Sequence, residues 1–430
     1  MEKMEKLKVL STTDSDFEEE FINILFRREE VSAEIEKVVK DILRDVKENG
    51  DEALFRYAEK FDQTKLDSAS IVVSSEEIEK GYDKLSKEEI DALRLAAVRI
   101  EKFHQKKINQ TTIKEEKGEY LTEIVSPLNT VGLYVPGGKA AYPSSVLMSA
   151  IPARVAGVNE IVIVSPTVSS HVLAAAKIAG VNRIYRIGGA QAIAALAYGT
   201  ESIKRVDKIV GPGNVYVETA KRLVYGKVGL DMVAGPSEIL VIADDSGVPS
   251  FAAADLLAQA EHDEDARPIL IALSEKFLQE AYKETISQLA DLTRKDIAEK
   301  SIKKQGAMIL ARDINEAADL ANRIAPEHLV LMVDKPDKVL KKIKCAGAVF
   351  LGNYTPVTVG DYMAGPSHIL PTAGTARFFS PLGVEDFVRR MSVISFSKES
   401  LKNIENEVKR LALIEGLDAH AKAVEKRTKS

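Results

Sequence analysis

The sequence predicts an α/β protein with two Rossmann-like, doubly wound domains, a helical amino-terminal region and a helical carboxyl-terminal tail. Three observations carry this. At 430 residues and 45% hydrophobic content, the chain exceeds what one core usually organises. Beyond residue 128, strand-like apolar runs alternate with helix-like ones, the pattern of a parallel sheet covered on both faces. This alternation comes in two blocks, giving boundaries at 1–127 for the helical region, 128–235 and 236–376 for the α/β domains, and 377–430 for the tail.

The elements follow in order. "AEIEKVVKDILRDVKENGDEALFRYAEKF" spaces apolar residues for an amphipathic helix, with Gly50 as its break. After "NTVGLYVPGG", "EIVIVSP" reads as a buried strand and "SSHVLAAAKIAGV" as a helix ending at Gly180. "RIYRIGG" and "AQAIAALAYG" repeat the pair. "SEILVIAD" opens the second block, which runs through "FAAADLLAQAEHD", "RPILIAL", "AMILA", "INEAADLANRIAPEH", "LVLMV" and "GAVFLG". The two blocks share architecture without sequence similarity, so duplication is compatible with the pattern but not required by it. The tail, "LKNIENEVKRLALIEGLDAHAKAVEKRTKS", reads as two helices joined at Gly416.

A net charge of −6 and the lack of a basic run exclude a phosphate-neutralising surface, so nucleic acid is not an expected partner. The charged amino terminus lacks a signal-peptide core, and no stretch is apolar enough to span a bilayer. A cytoplasmic protein without membrane contact is expected. The single cysteine, Cys345, excludes an internal disulfide and a Cys-based zinc cluster; its apolar neighbours in "KIKCAGAVFLG" predict a packed core thiol.

Chemistry concentrates around a few of the six histidines. In "LLAQAEHDEDA", Gln259 and His262 stand about 60° apart on a helix and can face one ion, although the same spacing suits a solvated helix end. Asp263, Glu264 and Asp265 read as surface charge. Asp361, in "GDYMAGPSH" after an apolar strand, is a candidate ligand or a turn residue. Glu415 and His420 would diverge by about 140° on one continuous helix, and Gly416 lets them converge. A set of amide, imidazole and carboxylate donors without thiolate suits a divalent metal such as zinc with open positions. Glu327 and His328, adjacent in "APEHLVL", could divide general acid and base work. Neither "GGAQAI" nor "GPGNVY" is a G-x-G-x-x-G fingerprint, so these residues leave the cofactor undetermined. "YVPGGKAAYPSSV" and "VGPGNVYVETAKR" suit either ordinary turns or close backbone approach to a ligand.

Taken together, "GLYVPGGKAAYPSSVLM", "VGPGNVYVETAKR", "DMVAGPSEILVIAD", "AQAEHD", "APEHL", "GDYMAGPSH" and "EGLDAHA" resemble the histidinol dehydrogenase family, in order along nearly the whole chain. The resemblance implies a zinc-dependent, NAD-dependent enzyme of histidine biosynthesis that oxidises L-histidinol to L-histidine through an aldehyde, consuming two NAD and one water. It implies Gln259, His262, Asp361 and His420 as zinc ligands, one zinc per subunit, with the substrate filling the open positions. Glu327 and His328 become the acid/base pair: His328 takes the alcohol proton and Glu327 activates water. Ser237 and Glu415 match substrate contacts; Tyr134, Gln191 and Asn214 match NAD contacts. The tail is implied to cross to a partner in a homodimer, so that His420 and Glu415 complete the other chain's site. Cys345 matches no motif, which disfavours a covalent thiohemiacetal. His368 reads as a support to the ligands, and His104 and His171 as structural or surface residues.

Two other classes compete on the residues alone. A zinc hydrolase would use the same ligand types, yet H-E-x-x-H is absent. A two-domain small-molecule binding protein would need neither metal nor acid/base pair.

Overall fold

The computed structural model describes residues 7–25, 32–105, 113–116, 118–137 and 142–429. Residues 138–141 of the "YVPGGKAAYPSSV" loop and the first six residues lie outside these.

Fourteen strands form three sheets among the described residues: β1 (Lys8–Ser11), β2 (Ile113–Glu116), β3 (Glu119–Pro127), β4 (Thr130–Tyr134), β5 (Glu160–Val164), β6 (Arg183–Tyr185), β7 (Lys208–Val210), β8 (Gly229–Leu230), β9 (Glu238–Ala243), β10 (Arg267–Ala272), β11 (Ala307–Leu310), β12 (His328–Met332), β13 (Ala348–Leu351) and β14 (Val388–Phe396). The first sheet runs β6-β5-β4-β7-β8 and the second β1-β11-β10-β9-β12-β13, all parallel. Without β1, both sheets have the same order: third, second, first, fourth, fifth strand of the unit. That is the doubly wound order expected from the alternating pattern.

Alternation of side chains explains why both faces are dry. In β9, Ile239 and Val241 enter one core while Leu240 and Ile242 enter the other, and in β5, Ile161 and Ile163 oppose Val162 and Val164 in the same way. Each such side chain contributes about 1.5–3 kcal/mol on burial. Gly132 in β4 is required by close packing, since a Cβ there would stand 2.8 Å from Leu196.

The amino-terminal region does not pack by itself. Strand β1 extends the second sheet beside β11, whereas the helix Ala33–Asp62 packs on the helices Gly189–Tyr198 and Val215–Val224 of the first unit. Ser32 starts that helix by accepting the Ile35 N–H, and Gly50 breaks its path at φ 51°. The tail is not purely helical: β14 pairs antiparallel with β3 along its whole length, and β2 completes this third sheet. The helices Glu405–Ile414 and Asp418–Lys429 follow, with Gly416 between them at φ 74°. Cys345, expected as a packed core thiol, is instead half-buried in the irregular segment before β13. His104 is buried against Phe103, and exposed His171 pairs with Glu89. No described helix is long and apolar enough to cross a membrane.

Candidate active site

Glu327 and His328 lie at the amino-terminal edge of the second sheet, where β12 begins beside β9. Both are buried, at 6% and 5% exposure, and the β9 backbone orients both. The Glu238 N–H donates to Glu327 Oε2 at 2.7 Å, and His328 Nδ1 lies 2.8 Å from the Glu238 carbonyl oxygen. A carbonyl only accepts, so Nδ1 carries the proton and Nε2 of the neutral ring is left with its lone pair. Nε2 faces Asp361 Oδ1 at 3.9 Å. Burial pushes the His328 imidazole down to about 4, so it is neutral and able to accept a proton. Burial also holds the Glu327 carboxyl well above its ordinary range; the Glu238 N–H opposes this, and the Glu238 and Asp361 charges add to it.

Gln259, His262 and Asp361 line one cavity of about 490 Å³ between the two α/β units. The helix Pro249–Ala260 ends before His262, which occupies the following turn; its N–H still donates to the Gln259 carbonyl at 3.2 Å, keeping the pair together. Asp361 comes from the short helix Val357–Tyr362 that leads back from β13, and burial raises it to about 6. His368 braces this segment, with Nδ1 2.9 Å from the Asp361 carbonyl oxygen and Nε2 3.1 Å from Ser145 Oγ. Ser237 immediately precedes β9, and its carbonyl accepts the Arg267 N–H. His420 and Glu415 do not line the cavity; both are exposed on the tail. Among the described residues, no three His, Cys, Asp or Glu side chains are grouped to hold a metal. One chain thus brings an amide, an imidazole and a carboxylate to the cavity, oxygen and nitrogen donors that fit a divalent cation.

The predicted cofactor residues gather elsewhere, at the carboxyl-terminal edge of the first sheet. Tyr134 ends β4, and its hydroxyl accepts the Gly189 N–H at 3.1 Å. Burial pushes this phenol up to about 12, the Gly189 N–H opposes, and the nearby Asp62 and Glu218 charges add. Gln191, 1% exposed, lies in the first turn of the next helix. Asn214 caps the helix Val215–Val224 by accepting the Tyr216 and Val217 N–H groups, which leaves its amide NH2 to donate outward. Gly211 is required here at φ 109°, because a Cβ would stand 2.3 Å from the Tyr134 carbonyl oxygen.

A buried ionic network, absent from the sequence-level candidates, joins the two edges. Lys221 Nζ lies 3.0 Å from Asp231 and 3.5 Å from Glu218, and donates to the Gly211 carbonyl. Asp231 accepts the Gly211 N–H, and Glu218 accepts those of Gly213 and Ala234. These bonds tie the "GPGN" turn to the segment that leads into Ser237 and β9. One ammonium cannot balance two buried carboxylates, and burial raises Glu218 to about 7. Because the folded form binds this proton more tightly than the unfolded chain, Glu218 costs stability increasingly as pH rises from 4.5 through about 7. Lys221, itself raised, keeps its contribution throughout that window. Glu218→Gln is expected to flatten the loss of thermal stability across this range in unfolding scans; an unchanged slope would contradict the assignment.

The sequence profile of the histidinol dehydrogenase family matches residues 25–428. The chain belongs to the histidinol dehydrogenase family. It is 52% identical over 429 residues to histidinol dehydrogenase from Geobacter metallireducens, covering 98% of both chains. It is 51% identical to that from Aquifex aeolicus, over 93% of this chain and 94% of the relative. Among solved structures it resembles histidinol dehydrogenase from Elizabethkingia anophelis, with a TM-score of 0.93, 37% identity and 98% coverage of each chain. Glu238, Lys221 and Asp231 are supporting residues of this family member that the sequence analysis did not single out. Glu238 acts through its backbone, which no side-chain pattern signals, and Lys221 reads as an ordinary helix-surface lysine until it is found 0% exposed.

Proposed function

We propose that the protein oxidises L-histidinol to L-histidine through the aldehyde, with two NAD and one water, as the last step of histidine biosynthesis. The observation that carries this reading is the neutral His328 with Nε2 free beside a cavity lined by Gln259, His262 and Asp361. In the first oxidation Nε2 accepts the alcohol proton while a hydride leaves the carbinol carbon for NAD. In the second, Glu327 accepts a proton from the water that adds to the aldehyde, and another hydride leaves the resulting hydrate. Zinc held by Gln259, His262 and Asp361 would supply positive charge beside the alcohol. Ser237 is assigned to substrate, and Tyr134, Gln191 and Asn214 to NAD.

The fourth zinc ligand, His420, and the substrate contact Glu415 are assigned to a partner chain in a homodimer. Support comes from the tail itself: Leu411, Leu413 and Ile414, at 62%, 58% and 75% exposure, leave an apolar surface uncovered on one chain. A cytoplasmic location follows from the biosynthetic role.

Metal-replete protein given L-histidinol and NAD is expected to release two NADH for each histidinol consumed. Chelation is expected to abolish turnover and added zinc to restore it. Absence of NADH, or turnover indifferent to chelation, would overturn the reading.

A further inference from the structure

We propose that Asp62 is a cofactor-specificity residue: its carboxylate accepts the 2′-hydroxyl of the adenosine ribose of NAD and disfavours a 2′-phosphate. The proposal rests on the assignment of Tyr134, Gln191 and Asn214 to NAD.

Asp62 ends the helix Ala33–Asp62, whose buried residues share a core with Tyr134, Ile187 and Ala190, so its carboxylate reaches the Tyr134 cluster. Two complementary polar atoms there are buried without hydrogen-bond partners among the described residues: the acceptor Asp62 Oδ2 and the donor Gln191 Nε2. Gln191 is 1% exposed, so its amide nitrogen is not satisfied by bulk solvent. A hydroxyl donates one proton and accepts another, and a ribose brings two such groups, which matches this pair of free atoms.

The carboxylate is also misplaced for a structural role. A negative charge on the last residue of a helix opposes the helix dipole, and burial raises the Asp62 pKa with no opposing partner. Such a cost, uncompensated within the protein, is characteristic of a ligand contact.

The first sheet lacks the usual alternative. In a doubly wound nucleotide-binding unit, an acid near the end of the second strand takes the ribose hydroxyl. Here β5 is followed by Ser165, Pro166 and Thr167, and Ser165 Oγ is spent on the Thr167 carbonyl. The Pro166 ring fills the space beside Gly137 and Gly188, where added Cβ atoms would meet it at 2.4 and 2.6 Å. The second strand thus supplies no acid here, Glu218 near Tyr134 is already engaged with Gly213, Ala234 and Lys221, and the helix Ala33–Asp62 delivers a carboxylate from outside the unit. Asp62 does not line the cavity at Gln259 and Asp361, where the nicotinamide has to react, so it meets the adenosine half.

The test titrates wild-type, Asp62→Ala and Asp62→Asn proteins calorimetrically with NAD, with its analogue lacking the adenosine 2′-hydroxyl, and with NADP. Loss of one charge-assisted hydrogen bond is expected to weaken wild-type binding of the deoxy analogue about 10- to 100-fold relative to NAD. Asp62→Ala should lose that same factor for NAD and show no difference between NAD and the deoxy analogue. Asp62→Asn should bind NADP more tightly than wild type, with its melting temperature unchanged or raised. Equal binding of NAD by wild type and Asp62→Ala, or a deoxy penalty that survives in Asp62→Ala, overturns the proposal. Failure of wild type to form NADH from histidinol sinks the functional reading separately, because binding is read without turnover.

Discussion

Gln259→Ala and His420→Ala proteins are each expected to be inactive alone, and to recover about a quarter of wild-type activity when unfolded together and refolded at equal amounts. The fraction follows from composition. Random pairing makes about half of the dimers mixed, and each mixed dimer has one intact site of two, assembled from the core that keeps Gln259 and the tail that keeps His420. Within one chain Gln259 lines the cavity at 4% exposure while His420 stands exposed on the helix Asp418–Lys429. If mixed dimers form, confirmed by tags of different mass, and activity stays at background, the shared site is wrong. Two wild-type subunits mixed with Gln259→Ala under the same protocol control for refolding losses.

Glu327→Gln is expected to separate the two oxidations. Gln keeps an oxygen to accept the Glu238 N–H, so the local geometry survives while the proton acceptor is lost. Loss of a general base typically costs about 10²- to 10⁴-fold. That loss should fall on oxidation of the aldehyde, with the alcohol step slowed much less, and aldehyde should become trappable by a carbonyl reagent. His328→Ala, in contrast, is expected to slow the alcohol step by a comparable factor, because the lone pair at Nε2 is removed. Single-turnover kinetics starting from the alcohol and from the aldehyde distinguish these outcomes. Equal loss in both steps for Glu327→Gln would refute the division of labour.

Much of the architecture was legible in local sequence. Residues 239–243 and 161–164 are apolar at every position because both faces of the sheet are covered, and that continuity predicts parallel strands. The third sheet was not legible. It pairs β3 with β14, segments far apart in the chain whose residues are mostly half-buried or exposed, so neither shows a strong periodic signal. The position of β1 was hidden for the same reason: four residues at a sheet edge carry too little pattern to reveal their partner.

The candidate site was legible as residue types and motifs but not as a place. Tyr134, Gln191 and Asn214, proposed for NAD on the family resemblance, lie at the carboxyl-terminal edge of the first sheet, the edge at which parallel strands commonly present ligand-binding loops. That tendency does not anticipate the position of Glu327 and His328, the proposed acid/base pair, which lie at the amino-terminal edge of the second sheet beside Glu238. The acids after His262 are surface charge, as their sequence context reads: Glu264 and Asp265 pair with Lys300 and Lys304.

The sequence by itself determined which donors and acceptors this protein owns: the amide, imidazoles and carboxylates of Gln259, His262, Asp361, His328 and Glu327, and their order along the second α/β unit. Those are covalent facts, carried by side-chain chemistry wherever the chain goes. Tertiary structure alone decided that the Glu238 carbonyl fixes the His328 tautomer, that burial keeps this ring neutral, and that His420 lies away from its own chain's cavity. Hydrogen-bond direction and desolvation depend on which backbone approaches within 3 Å and on what water is excluded, and these are properties of packing between segments distant in sequence.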